Sequence, residues 1–430
     1  MKFQPPKGTR DFLPVEMITR QKILEIVRNT FESFGFQPLE TSALESWEVL
    51  SAKGTGGPEI LKETFNFEDF GGRRIGLRYD LTVPLARVVA SNSNLPLPFK
   101  RYQIEKVWRY GEVSKGRLRE FLQADIDTVG TEKMLADAEI IACAIASFIN
   151  LGFDKFVVRL NDRKILTALI KYTGVKENKS SDVLRAIDKL DKIGVKGIER
   201  ELTELKISSK IIKKILNFIQ IEGSNEEKIK ECRKILGTDV EQGISELEEL
   251  IGYLKKMKVD PKFKVDLSLA RGLDYYTGPI FEVFAEEGIG SIAGGGRYDK
   301  MIGLFSGKYI PATGISLGIE RIIEVMNERK MITKTKSKTK VFVISVDDNA
   351  RNKVLETVQE LRKNLIPTDF DIKGRKLSKQ LEYVNSLGIP FSIIIGKDEI
   401  NKRVVKLKDM ESGDEKELKV EELGSFLKKI

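Results

Sequence analysis

The sequence predicts two bodies of different class: an α+β body interrupted by a helical insertion, followed by a smaller C-terminal α/β domain with a mixed sheet. Three observations carry this expectation. The stretches 77–83 and 99–130 alternate polar with other residues around tight turns, the period-2 mark of strands. Between about 180 and 258 the composition shifts to Lys/Glu-rich runs whose apolar residues recur at helical spacing. Residues 333–340 are basic, low in complexity and without apolar side chains, so they read as a linker, and strands alternate with helices directly after it. A chain of 430 residues also exceeds one ordinary core. The expected boundaries are 1–330 for the body, about 180–258 for its insertion, 331–340 for the linker and 341–430 for the last domain.

Composition narrows the chemistry. The net charge is +9, from 73 basic and 64 acidic residues, and the pI is near 9.1. Clustered, that excess suits a polyanionic partner; spread out, it is a solvated surface. Cys143 lies in an apolar helical run and Cys232 in a charged one, with no paired spacing for zinc or a disulfide framework. No apolar signal core opens the chain and no apolar run reaches membrane-span length, so a cytoplasmic protein without membrane contact is expected. Histidine is absent. That removes imidazole general bases, Ser/His and Cys/His nucleophile systems and histidine metal sites, leaving Arg, carboxylates, Tyr and the substrate itself.

In chain order, Lys7-Gly-Thr-Arg-Asp11 precedes a helix in which Ile23, Val27, Phe31 and Phe34 share a face and Gly35 is the stop, followed by an extended stretch at Pro38. Gly54, Gly56, Gly57 and Pro58 mark a loop. Leu77-Arg-Tyr-Asp-Leu-Thr-Val83 reads as a strand with Arg78, Asp80 and Thr82 on one side, where a carboxylate beside a hydroxyl can receive an ammonium group. A second strand ends at Val107-Trp-Arg109, turns through Gly111, Lys115, Gly116 and Arg117, and returns from Glu120 to Thr128. Gln123, Asp125 and Asp127 share one face of the return strand, and Arg109, Lys115, Arg117 and Arg119 charge the turn. A buried helix from Leu135 to Gly152 and a strand from Phe156 to Leu160 lead into the insertion. There Ser181 is the expected cap, Leu184, Ile187 and Leu190 repeat, and Gly194, Gly223, Gly237 and Gly243 punctuate.

Arg271-Gly-Leu-Asp-Tyr-Tyr-Thr-Gly278 then places a guanidinium, two phenols and a hydroxyl within eight residues. Gly294-Gly-Gly-Arg-Tyr-Asp299 brings backbone close to whatever those groups hold. Either piece alone could equally be a tyrosine-bearing strand or a glycine-rich hairpin turn; the pair reads as a polar small-molecule pocket. Thr313-Gly-Ile-Ser-Leu-Gly-Ile-Glu-Arg321 runs from strand into helix through Gly318. In the last domain, strands are expected at Val341 to Val346, around Phe370 and at Phe391 to Ile395. Ala350, Val354, Val358 and Leu361 mark one helix, and Leu377, Leu381, Val384 and Leu387 another. The turn Lys373-Gly-Arg-Lys376, ahead of the second helix, could take phosphate.

These motifs, in this order from Lys7 onward, resemble the histidyl-tRNA synthetase family of class II aminoacyl-tRNA synthetases, with the 271–278 and 294–299 stretches matching its histidine-specific signatures. The resemblance implies a mainly antiparallel catalytic sheet, a homodimer interface near the first helix, an insertion over the tRNA acceptor arm and a C-terminal anticodon-binding domain. It also implies the activity, in which histidine and ATP form histidyl-adenylate and pyrophosphate, and the acyl group passes to the terminal adenosine of histidine tRNA. ATP is then a substrate accompanied by Mg²⁺, whose protein ligands stay unassigned. Carried over by position, the histidine site would comprise Asp80, Leu81, Thr82, Arg109, Gln123, Asp127, Arg271, Tyr275, Tyr276 and Tyr298. ATP would meet Arg109, Glu112, Arg117, Phe121 and Arg321, and Arg109 and Arg271 would be catalytic. One departure stands out: Gly111 occupies the place where the family usually has an acid for adenine, with Glu112 next.

Two alternatives use the same body. One is a non-catalytic, histidine-binding regulatory subunit of ATP phosphoribosyltransferase, which would be expected to lack the C-terminal domain and arginines of the ATP site. The other is a tRNA-binding module with an inactive site.

Overall fold

The computed structural model describes residues 3–52, 58–114, 116–259, 262–271, 275–285 and 290–429, without the side chains of residues 58 and 59. Gly54, Gly56 and Gly57 of the expected loop, Lys115 of the hairpin turn, and Gly272, Leu273 and Asp274 of the first signature lie outside the described residues. The chain divides into two compact units, residues 1–10 with 23–331 and residues 11–22 with 332–430.

The first unit is built on an eight-stranded sheet. Its strands are β1 (Gln37–Pro38), β2 (Phe99–Trp108), β3 (Glu120–Val129), β4 (Val157–Asp162), β5 (Phe263–Val265), β6 (Pro279–Phe284), β7 (Ser291–Arg297) and β8 (Ala312–Gly318). The spatial order is β1-β2-β3-β8-β7-β6-β4-β5. Only the edge pairs β1 with β2 and β4 with β5 are parallel; all other pairs are antiparallel. The fold is therefore an α+β body on a mainly antiparallel sheet. The helix Met134–Asn150, apolar nearly all round, packs against the sheet through residues such as Ile140, Ile141, Ile145 and Phe148, all buried. Its thiol Cys143 is buried and free, as is Cys232 in the helix Asn225–Leu236.

Cross-strand register gathers the polar residues. Paired residues in an antiparallel sheet point to the same face. Asp127 pairs with Arg101 on β2 and Gly314 on β8, Asp125 with Gln103 and Ser316, and Gln123 with Glu105 and Gly318. Gly296 and Gly294 of β7 continue those rows opposite Gly314 and Ser316, and Glu282 of β6 lies opposite Gly294. One face of the sheet thus carries a polar patch floored by glycines.

Several local expectations are corrected. The strand Arg74–Leu77 stops before Arg78, and residues 82–91 form a helix, so 77–83 is a strand-to-helix junction. Asp80 Oδ1 accepts from the amides of Thr82 and Val83 at 3.0 and 2.9 Å, and Pro84 fits the first turn, where an amide has no helical partner. These are helix-start signals that the alternation of 77–83 masks. Arg78 turns away to the carbonyls of Thr41 and Lys106 and to Glu105. Pro58 opens the short helix Pro58–Glu63. Ser181 is no cap: it lies inside the helix Glu177–Ile187, and Leu190 begins the next one. Gly243 sits within the helix Glu241–Lys256, where a Cβ would lie 3.1 Å from Ile165 and Lys164, so its reason is close packing. Gly294, Gly295 and Gly296 form a central strand and not a turn.

The second unit contains β9 (Val341–Ser345), β10 (Thr368–Phe370), β11 (Phe391–Ile395), β12 (Val405–Asp409) and β13 (Glu415–Leu418) in the order β10-β9-β11-β12-β13. The first three strands run parallel and the last two antiparallel, so the sheet is mixed. Val341 and Val343 pack into one core with Val354, Val358 and Leu427, while Phe342 and Ile344 face another with Val384 and Ile389, covering both faces as an α/β sheet requires. In the turn before the helix Leu377–Leu387, the Arg375 amide and guanidinium are both bonded to Asp371, and the guanidinium lies over Tyr383.

Candidate active site

A cavity of about 240 Å³ opens over the polar patch. It suits a ligand below drug size, for which pockets run from about 300 to 1,000 Å³. Asp80 and Thr82 enter it from the helix start, Gln123 and Asp127 from β3, and Arg109 from the end of the β2–β3 hairpin's first arm. Arg271, Tyr275, Tyr276 and Tyr298 close it from the two signature stretches. Nine of the expected histidine-site residues therefore line one cavity. Leu81 does not: it is fully buried, and its carbonyl accepts from Arg101 Nη2 at 3.1 Å.

Glycines make this convergence sterically possible. A Cβ on Gly294 would lie 2.2 Å from Arg271 Nη1, and one on Gly314 would lie 1.9 Å from Asp127 Oδ1. A Cβ on Gly295 would meet the Gly314 carbonyl oxygen at 2.0 Å. The first two leave room for functional side chains and the third lets two backbones approach.

Asp127 is held from two sides, by the hydroxyl of Tyr298 and by Arg101, whose Nη2 lies 2.7 Å from Oδ2. Burial raises the carboxyls of Asp80 and Asp127 above the ordinary range, although Arg109 beside the first and Arg101 beside the second work against it. Asp125 lies between Gln123 and Asp127, and burial pushes its carboxyl up to about 7 despite Arg101, with the Asp127 charge adding to the rise. Burial likewise raises the phenols of Tyr275, Tyr276 and Tyr298, so all three stay neutral and can donate hydrogen bonds at pH 7. Gln123 donates to Ser316 Oγ at 2.6 Å, while its Oε1 and Asp125 Oδ1 are buried without a hydrogen-bond partner. Unsatisfied acceptors of this kind are costly unless a ligand with N–H groups supplies the donors.

The arginines are oriented by neighbours. Arg109 donates from Nε to the Tyr79 carbonyl at 3.0 Å, and its guanidinium lies 4.3 Å from the Tyr79 ring centroid and 5.2 Å from that of Phe121. Arg271 pairs with Glu282 and donates to Ser291 Oγ at 3.2 Å. Phe121 is thus outside the cavity lining but beside Arg109. Glu112, Arg117 and Arg321 are also outside the lining. The last lies near the hairpin turn, where a Cβ on Gly116 would be 3.8 Å from Arg321 Cγ. Lys7-Gly-Thr-Arg docks on the same hairpin, the Gly8 carbonyl accepting from the amides of Arg119 and Glu120 at 2.8 and 3.2 Å.

Some cavity residues carry no sequence assignment. Tyr79, Ser316 and Asp125 line it, and Glu282 and Arg101 hold its charged groups. Alternation already places Asp125 between its neighbours, and a lone glutamate in the apolar strand Pro279–Phe284 is a second signal. Nothing local marks Arg101, because its role comes from pairing with Asp127 across the sheet.

Among the described residues no cluster of three or more carboxylates or thiols is arranged to hold a metal ion, and no helix is long and apolar enough to cross a membrane.

Comparison with known proteins gives a consistent family. Residues 8–322 match the family model described as histidyl-tRNA synthetase, and residues 340–430 match that of the anticodon binding domain. A histidine–tRNA ligase of Clostridium tetani is 39% identical over 98% of this chain and 97% of its own length. One from Aeropyrum pernix is 43% identical, covering 92% and 91% of the two chains. The crystal structure of histidyl-tRNA synthetase from Nostoc sp. PCC 7120 superposes with a TM-score of 0.87 at 33% identity, over 100% of this chain and 99% of that one.

Proposed function

Because the chain belongs to the histidyl-tRNA synthetase family, we propose that the 240 Å³ cavity holds histidine and presents its carboxylate to ATP. The activity is that of an ATP-dependent aminoacyl-tRNA synthetase that joins histidine to tRNA. The observation that carries the site assignment is the convergence of Asp80, Gln123, Asp127, Arg271 and Tyr276, from separate segments, on one cavity.

Asp80, Thr82 and the Gln123 Oε1 acceptor take the substrate's ammonium group, leaving its carboxylate free. Asp127 and Tyr276, with Tyr275 and Tyr298 beside them, read the two ring nitrogens: an ionised carboxylate accepts from the ring N–H, and a neutral phenol donates to the other nitrogen. A pocket built from such groups discriminates by about 10⁴ to 10⁵ against analogues that leave them unpaired. In the first step a carboxylate oxygen attacks the α-phosphorus of ATP, an O–P bond forms and pyrophosphate leaves with the electrons of the broken bond. Arg109 and Arg271 stabilise the charge that builds on the α-phosphate and carboxylate. No proton moves in this step, so positioning and electrostatics suffice without an imidazole base. The Glu282 partner holds Arg271 at the cavity rim until the carboxylate arrives. Arg117 and Arg321 take the outer phosphates, and Phe121 and Glu112 flank the nucleotide. Magnesium would accompany ATP and offset the charge of its phosphates, and its protein ligands stay unassigned.

The same reading divides the chain into a catalytic body over 1–330 with an insertion at about 180–258 that meets the acceptor stem, a linker at 331–340 and an anticodon-binding domain over 341–430. It also takes the protein as a cytoplasmic homodimer. The regulatory-subunit alternative is disfavoured by the matched C-terminal domain and by the presence of Arg109 and Arg271 in the cavity.

Histidine-dependent exchange of pyrophosphate into ATP tests the assignment. Asp127→Ala should raise the KM for histidine while that for ATP stays put, and Arg271→Ala should cut exchange by orders of magnitude in folded protein, as single charge-stabilising groups do (about 10²–10³). An unchanged histidine KM with weakened ATP binding in Asp127→Ala would reverse the orientation proposed here.

A further inference from the structure

Five of the eleven described signature residues do not line the histidine cavity. Tyr276 and Tyr298 line it, but Thr277, Arg297 and Asp299, their neighbours in sequence, do not. These three line a second, larger cavity, of about 940 Å³, which shares Tyr276 with the first.

There they are bonded to one another. The Thr277 hydroxyl donates to Asp299 Oδ2 at 3.0 Å and accepts from the Asp299 amide at 3.1 Å, and the Thr277 amide donates to the Arg297 carbonyl at 2.8 Å. Asp299 Oδ1 accepts from Arg297 Nη1 at 3.2 Å and from the Ala312 amide at 3.3 Å. Arg297, 2% exposed, is paired in turn with Asp137, which is fully buried in the helix Met134–Asn150, and donates to the Thr131 carbonyl at 3.0 Å. This network joins the segment that carries Tyr276 to the segment that carries Tyr298 and ties both to the helix behind the sheet. It leaves no slack in the pair: the Tyr298 amide is also bonded to Ala312, at 2.7 Å.

We propose that Thr277 and Asp299, backed by Arg297 and Asp137, are positioning residues that set the spacing between Tyr276 and Tyr298 and so the fit of the imidazole ring. This rests on the reading of the 240 Å³ cavity as the histidine site. The clamp touches neither the arginines that face ATP nor the ammonium-binding groups, so its loss acts on histidine alone. Thr277→Val keeps the side-chain shape but strips the hydroxyl, leaving the Asp299 amide and Oδ2 without their partner. Thr277→Ser restores the hydroxyl.

In pyrophosphate exchange, Thr277→Val should raise the histidine KM about tenfold, the factor for one lost hydrogen bond's worth of positioning, with the ATP KM within about twofold of the parent. Thr277→Ser should return the histidine KM to near the parental value. A purely structural threonine would instead lower the melting temperature and the fraction of active sites while leaving both KM values alone. That result, a parallel rise in both KM values, or failure of Thr277→Ser to restore binding would overturn the proposal. Should Thr277→Val not fold, Asp299→Asn is measured the same way, with the same outcomes for and against. Asp127→Ala separates the two levels. If it leaves histidine binding unchanged, the cavity assignment fails; if it weakens binding and a folded Thr277→Val does not, only the clamp fails.

Discussion

Asp125 is the residue whose environment most alters its chemistry. Buried beside Asp127, it titrates near 7 in place of an ordinary 3.8, in a chain with no histidine to titrate there. Its raised pKa means that the folded state holds the proton more tightly than the unfolded one. The resulting stabilisation is complete below about pH 4 and is lost as pH rises through about 7. Asp125→Asn is neutral throughout, so its melting temperature relative to the parent should rise between pH 4 and pH 7 and then level off. Parallel melting curves across that range would show that the carboxyl titrates at its ordinary value. At this scale the sequence was legible wherever a functional group belongs to a dense motif: Arg109, Arg271, Tyr275 and Tyr276 announce themselves. It was misleading for the Thr277 hydroxyl, which reads as part of the pocket and is spent on Asp299 instead.

Among the elements, β7 sets the strictest demand, because its glycines lie under different kinds of neighbour. Gly294 faces the movable end of Arg271, whereas Gly295 faces the backbone of β8. Gly294→Ala should therefore fold with nearly parental stability, within about 1 kcal/mol, yet lose most adenylate formation because Arg271 is displaced. Gly295→Ala should lose on the order of 1–3 kcal/mol, since only separating the strands relieves the contact. Chemical denaturation and pyrophosphate exchange on the two variants distinguish these outcomes, and equal destabilisation would mean that Arg271 cannot move. Strands with clear alternation, such as β2 and β3, are readable from sequence because period 2 survives even on a polar face. The junction at 77–83 is not, because Asp80 serves a helix start and a cavity at once, and its polar spacing mimics a strand.

For the whole molecule, the boundary expected at the linker carries its own test. A chain ending at Lys340 should keep histidine-dependent pyrophosphate exchange, because every cavity residue precedes the linker, but charge tRNA with a higher KM for the tRNA. Loss of both activities would mean that the body does not hold its site without residues 341–430. The basic excess should add salt dependence to tRNA binding in proportion to the phosphates contacted. By itself the sequence determined the class of each body, the elements whose periodicity is strong, and the residue types available for chemistry, because periodicity and composition are local properties. The tertiary structure alone decided which polar residues share a face and which lie behind it: that Arg101 meets Asp127, that Glu282 meets Arg271, and that Thr277 clamps Asp299. The first pairing depends on strand register between distant segments, where a shift of one residue would turn Arg101 to the opposite side of the sheet, and the other two depend on where the chain outside the strands is laid beside β6 and β7.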